Sequence, residues 1–348
     1  MKIDILTPRG TVPPFSGPGS PVQPVRAAQP VRPVAGPLPL AHLVSEGELG
    51  AALRRELPRQ GSPMPLLANL AWLNATSAGE RAALPAPVRQ AVAATWRALA
   101  SLDDLARPGE FERAARASGL GLERLLATAD PAGLDAALAG DWKALLLRLR
   151  AALDAFPRRP AARPAPGADA PLPGRPGALP ALEPVDGRLA DAPDTAAMTG
   201  ELAEGVDAAI ARVTAHQLAN LREPALATSI VLEIPLRYDP GATMLSLRFT
   251  REGEDPPSGE GPPVWTVEFS VHLGAAGALQ GRVRLAGNRL EVAVESDVAA
   301  TLEALQASEA GLRWNLEALG FEVERLAWRK ASPPVPDSSV SWLVDERA

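Results

Sequence analysis

Histidine is the usual general base and metal ligand at neutral pH, and this 348-residue chain has three: His42, His216 and His272. They lie too far apart to form a local ligand pair of the H-x-x-x-H kind. The absence of cysteine excludes thiolate metal sites, cysteine nucleophiles and disulfide frameworks. His272 alternates with the apolar side of a strand pattern, so it is expected to face solvent. No nearby Ser, Asp or Glu is spaced to orient it. His216 has Arg212 and Gln217 beside it on a helical pattern, and a solvated face is expected there too. Glu252, Glu254, Asp255 and Glu260 crowd a Pro/Gly-rich stretch without EF-hand spacing, which predicts a solvated hairpin tip. Walker A, G-x-S-x-G and strand-linked G-x-G-x-x-G motifs are absent, and Gly119-Leu120-Gly121 reads as a turn between helices. Trp265, Trp314 and Trp328 could build a ligand platform. In a chain with only 4% aromatic residues they are better read as core anchors. These residues describe a protein that is not an enzyme and has no cofactor or metal site.

Whole-chain properties narrow the classes further. A net charge of −6 argues against a nucleic-acid binder. No apolar run reaches the length of a membrane span, and Met1–Pro8 shows no h-region of a cleavable signal peptide.

The elements that would position any site follow from composition and period. Residues 1–40 are Pro-rich and nearly free of acids, which predicts a disordered or polyproline-like N-terminus, a possible export signal. Residues 41–156 read as a small all-α region. Val88, Val92, Trp96 and Leu99 recur at helical spacing, and Asp141 caps a run through Leu145, Leu149 and Leu153. Residues 157–195 hold ten prolines and read as a solvated Pro-rich linker. Residues 196–223 return to helix with Met198, Leu202, Val206, Ile210 and Val213.

From residue 228 the period falls to two. Ile230–Leu236, Leu245–Phe249, Trp265–Leu273, Val283–Leu285 and Leu290–Val294 alternate apolar and polar, with Gly287-Asn288 as a hairpin turn. Each strand has one apolar and one polar face, as in a sheet covered on one side. The cover is a helix carrying Leu302, Leu305, Leu312, Leu316 and Leu319, expected to start at a Ser296/Asp297 cap and end at Gly320. Glu309 sits where the seam calls for an apolar residue, two positions before Gly311. A kink or break is expected there, with Ser308 capping a second helix. Residues 228–330 therefore read as an α+β C-terminal domain, an antiparallel or mixed sheet packed by one long or kinked helix, with a tail at 331–348.

The segment Val267–Leu285, then Asn288–Val294, Leu302, Leu305, Leu312, Leu316 and Leu319-Gly320-Phe321-Glu322-Val323 resembles the C-terminal domain of the flagellar hook-length control protein family. The departure lies at the centre. The family's Leu-x-Pro-x-x-Leu-Gly segment is replaced by Ala275-Ala276-Gly277-Ala278 and Leu279-Gln280-Gly281. Upstream, Ser118–Leu126 and Asp141–Leu146 resemble a Ser-Gly-Leu-x-Leu-Glu … Asp-Leu-Lys-Ala-Leu-Leu stretch of longer members.

The resemblance implies an exported regulator of the flagellar type III apparatus. It would be cytoplasmic first and then secreted, with no covalent chemistry of its own. The implied partners are the cytoplasmic domain of the export gate and the hook and hook-cap subunits, engaged by a monomer. A needle-length regulator of a virulence secretion system, or an adaptor that is never exported, remains open on the residues alone. For contact with a partner the candidates are Gly274, Gly277, Leu279 and Gly281 in one loop, with Arg282, Arg284 and Arg289 along an outward-facing edge. An arginine row is also an ordinary guard against edge aggregation.

Overall fold

The computed structural model describes residues 46–76, 84–128, 130–159, 179, 181–222, 229–239, 241–252 and 263–331. Residues 1–40, most of the Pro-rich stretch at 160–180 and the acidic stretch 253–262 lie outside the described residues. The expectations of a disordered head and an acidic hairpin tip fall there. Every described element belongs to one compact unit, residues 40–348.

The helices are α1 (Glu46–Glu56), α2 (Met64–Ala75), α3 (Ala86–Ala98), α4 (Glu110–Arg116), α5 (Leu122–Thr128), α6 (Pro131–Gly140), α7 (Trp142–Asp154) and α8 (Thr195–Arg222). The Asp141 cap forms as its sequence position implies, its carboxylate accepting from the Ala144 N–H at 2.9 Å. A seven-stranded mixed sheet follows, in the order β1 (Ala100–Ser101), β2 (Ser229–Tyr238), β3 (Gly241–Glu252), β4 (Val264–His272), β5 (Ala278–Ala286), β6 (Arg289–Ser296) and β7 (Glu322–Lys330). Pairing is antiparallel from β2 to β6, while β1 on β2 and β7 on β6 are parallel. Gly287, at φ +66°, makes the two-residue turn between β5 and β6.

The sheet is not covered on one side only. Leu232, Ile234, Leu236 and Leu247 pack under Ala114 of α4 and under Leu102, Leu105 and Leu120. On the opposite face, Ala242 and Met244 of β3 close a core with Met64, Leu67 and Leu70 of α2, Leu146 and Leu149 of α7, and Leu202 and Val206 of α8. Residues read as separate blocks, 41–156, 196–223 and 228–330, therefore meet in one core.

Part of the stretch read as a solvated linker is packed as well. Leu182 and Leu189 are buried in that core, and Asn69 Oδ1 of α2 accepts from the backbone N–H groups of Arg188 and Leu189. A single buried asparagine thus serves a segment that makes few backbone bonds of its own.

The remaining helix, α9 (Ala299–Ala318), covers β6 and β7. It is continuous, without the expected break. The Ser308 hydroxyl bonds back to the Leu305 carbonyl instead of capping a second helix. Glu309 has a partner across the seam, accepting from Trp328 Nε1 of β7 at 2.8 Å. Glu309→Ala should lower stability by about 1 kcal/mol in urea unfolding, because the indole N–H loses its acceptor; Glu309→Gln, which keeps one, should cost less. Nor do Ser296 and Asp297 cap α9: Ser296 Oγ accepts from the Val298 N–H, and Asp297 from the Ala278 N–H. The C-terminus ends at Gly320, φ +92°. Phe321 N–H bonds the Leu316 carbonyl and Gly320 N–H the Glu317 carbonyl, a Schellman pattern with Phe321 and Leu316 packed in one cluster.

Candidate functional site

The loop between β4 and β5 is tied to the start of α9 by two hydrogen bonds and closed on itself by a third. Thr301 Oγ1 donates to the Ala276 carbonyl at 2.8 Å, Ala278 N–H donates to Asp297 Oδ1 at 3.1 Å, and Leu273 N–H donates to the Gly277 carbonyl at 3.0 Å. Gly277 itself is buried at φ +77°, ψ −166°, a conformation essentially restricted to glycine. A Cβ there would stand 2.5 Å from both Asp297 Oδ1 and Val298 Cγ2. Gly274, at φ +53°, turns the chain against the Tyr238 hydroxyl.

These positions divide by role. Leu279 is half-buried in the α9-side core with Val292 and Val294. Gly281 lies opposite Phe269, whose ring occupies the space a side chain would need. Gly277, Leu279 and Gly281 therefore serve packing. Arg282, Arg284 and Arg289 do face outward together, on the polar side of the sheet.

Each of the three arginines is paired. Arg282 meets Glu268 at 2.6 Å, Arg284 meets Glu291 at 3.5 Å and Arg289 meets Glu324 at 3.4 Å. Glu268 also holds Arg248 at 3.0 Å, so Arg248, Glu268 and Arg282 form a cross-strand row over β3, β4 and β5. This surface is a row of alternating charges.

Two histidines depart from expectation. His216 is buried, with Nε2 3.3 Å from Glu233 Oε2, and Arg212 grips the same carboxylate through Nε at 2.7 Å and Nη2 at 2.6 Å. Burial would push the Glu233 carboxyl up, but the Arg212 guanidinium and then His216 outweigh it and hold the carboxyl well below the usual range. The Arg212 guanidinium is pushed down by burial and, more strongly, up by Glu233. This cluster pins α8 to β2. Nearby, Asn220 of α8 bonds both the N–H and the carbonyl of Val231, occupying the part of the β2 edge that the two-residue β1 does not reach. His272 is half-buried, not solvent-facing, and its carbonyl accepts from Thr243 Oγ1.

The tryptophans separate too. Trp328 anchors the α9 side of the sheet, whereas Trp265 and Trp314 are exposed. A spacing signal existed for Trp314. It lies two residues from both Leu312 and Leu316, on the far side of the helix from the seam.

Among the described residues no three His, Asp or Glu side chains gather to hold a metal, and no helix is long and apolar enough to cross a membrane. No match was found among the curated proteins or among the solved structures. One family does match, and it covers β4, β5, β6, α9 and β7 while leaving β2, β3 and the helices before them outside. Residues 258–336 of this chain match the family described as flagellar hook-length control protein FliK.

Proposed function

We propose that this chain controls flagellar hook length. It would be exported through the flagellar type III apparatus as the hook grows, and its C-terminal residues 228–330 would then switch the apparatus to the next class of substrate. The observation that carries this reading is the family match over residues 258–336. The cytoplasmic domain of the export gate is the partner of residues 228–330, and hook and hook-cap subunits are the partners of the segment before them. The protein works by contact and carries out no covalent step.

Physical properties support the exported role. The chain has no disulfide to break before threading. Residues 1–223 would span on the order of 700 Å fully extended, long enough to report a hook's length. The paired arginines at 282, 284 and 289 are the surface on which we place gate contact.

The test is hook length by electron microscopy of hook–basal bodies from a strain lacking the gene. Overlong hooks, restored by the full-length chain, are expected. A full-length chain with Arg282→Glu and Arg284→Glu should secrete normally yet leave hooks overlong. Hooks of normal, narrow length in the deletion strain would overturn the proposal.

A further inference from the structure

Helix α9 covers the sheet but is itself left open. None of its residues is fully buried: Leu302, Leu305, Leu312 and Leu316 are half-buried, and Trp314 and Leu319 are 70% and 75% exposed. On the outer face Ala307, Gly311 and Ala318 flank Trp314 at spacings of three and four, all of them exposed. That is a shallow apolar strip with one large ring standing in it. Single exposed apolar residues are ordinary; an indole this open, standing in a strip of exposed alanine and glycine, marks a surface that another apolar segment covers.

We propose that the occupant is this chain's own C-terminal segment, Val340-Ser341-Trp342-Leu343-Val344, folded back along α9. Chain path, length and chemistry all favour it. Strand β7 ends at Lys330 opposite Ser296, and Ala331 N–H donates to the Ser296 carbonyl at 2.8 Å. The chain therefore leaves the sheet beside the N-terminal end of α9. From Ala299 to Trp314 the helix advances about 22 Å. Residues 331–339 include Pro333, Pro334 and Pro336, and at an extended rise they reach about 28 Å, which delivers residue 340 to the Trp314 region.

The chemistry is complementary in size. Val340, Trp342, Leu343 and Val344 are the one cluster of bulky apolar residues after position 330, and Asp345-Glu346-Arg347 beyond them can remain in water. A bulky segment fills a strip of alanine and glycine. A second copy of α9 would set small residues against small residues and fill it poorly. The short tether raises the local concentration of the segment, so even a weak contact is populated. This inference does not depend on the hook-length reading.

The absence of cysteine makes the test clean. In the full-length chain, Ala318→Cys with Ser341→Cys should form an intramolecular disulfide under mild oxidation. It should form at least about tenfold faster than Arg282→Cys with Ser341→Cys, in which the first position is exposed on the opposite face of the sheet. Adding Trp342→Ser and Leu343→Ser should bring the fast pair down to the control rate, with thermal melting showing each variant folded. Equal rates for the two pairs would overturn the proposal. Disulfide-linked dimers would overturn it in favour of a second copy, and no disulfide at all would leave the strip to a separate partner.

Discussion

Replacing Glu233 with glutamine should lower the stability of the chain by about 3–5 kcal/mol, because it strands the Arg212 guanidinium among buried groups without its counter-charge. The measurement is the urea midpoint at unchanged slope. Losing a hydrogen bond alone would cost only about 1 kcal/mol, so the size of the effect identifies the mechanism. Arg212→Met combined with Glu233→Leu should recover most of the loss, since removing both charges leaves neither uncompensated. The same carboxylate has a pH signature. Its folded-state pKa lies below the unfolded value of about 4.3, so its contribution is fully present above that value and fades as pH falls through the folded one. Acid unfolding should accordingly be shallower in Glu233→Gln than in the native chain.

Gly277→Ala should cost about 2–5 kcal/mol, combining the strain of a glycine-only backbone conformation with overpacking against Asp297 and Val298. Hydrogen exchange should show where the damage lies. Protection should fall at Ala278 and across the first turn of α9, which the loop braces through Thr301. If Gly277→Ala instead leaves melting and exchange unchanged, the loop is not the brace described.

Much of the C-terminal fold was legible because alternation is a direct trace of the pleat. The β5–β6 turn, the Schellman end of α9 and the Asp141 cap each rest on neighbours in sequence. What escaped depends on partners far along the chain. Glu233 on a strand and His216 on a helix look like solvated polar residues until α8 lies on β2, because a charge satisfied by a distant arginine has the same letter as one satisfied by water. Glu309 suggested a break for the same reason, its partner Trp328 being nineteen residues away. The two-residue β1 carries no pattern at all. Of the proposed contact residues, Leu279 could have been assigned to the core from its strand parity, while the burial of Gly277 could not.

The core shared by α2, α7, α8 and β3 also sets a clock on folding. A ribosome that has released residues 46–222 has produced every helix of that core but not Ala242 and Met244, which close it. Until β2 and β3 emerge, Met64, Leu67 and Leu70 lack their floor and Glu233 is not there to receive Arg212. Contacts spanning well over a hundred residues form slowly, since long loops must close before any contact stabilises them. The young chain should therefore pass through a long interval as loose helices, open to anything that captures unfolded protein, before it locks.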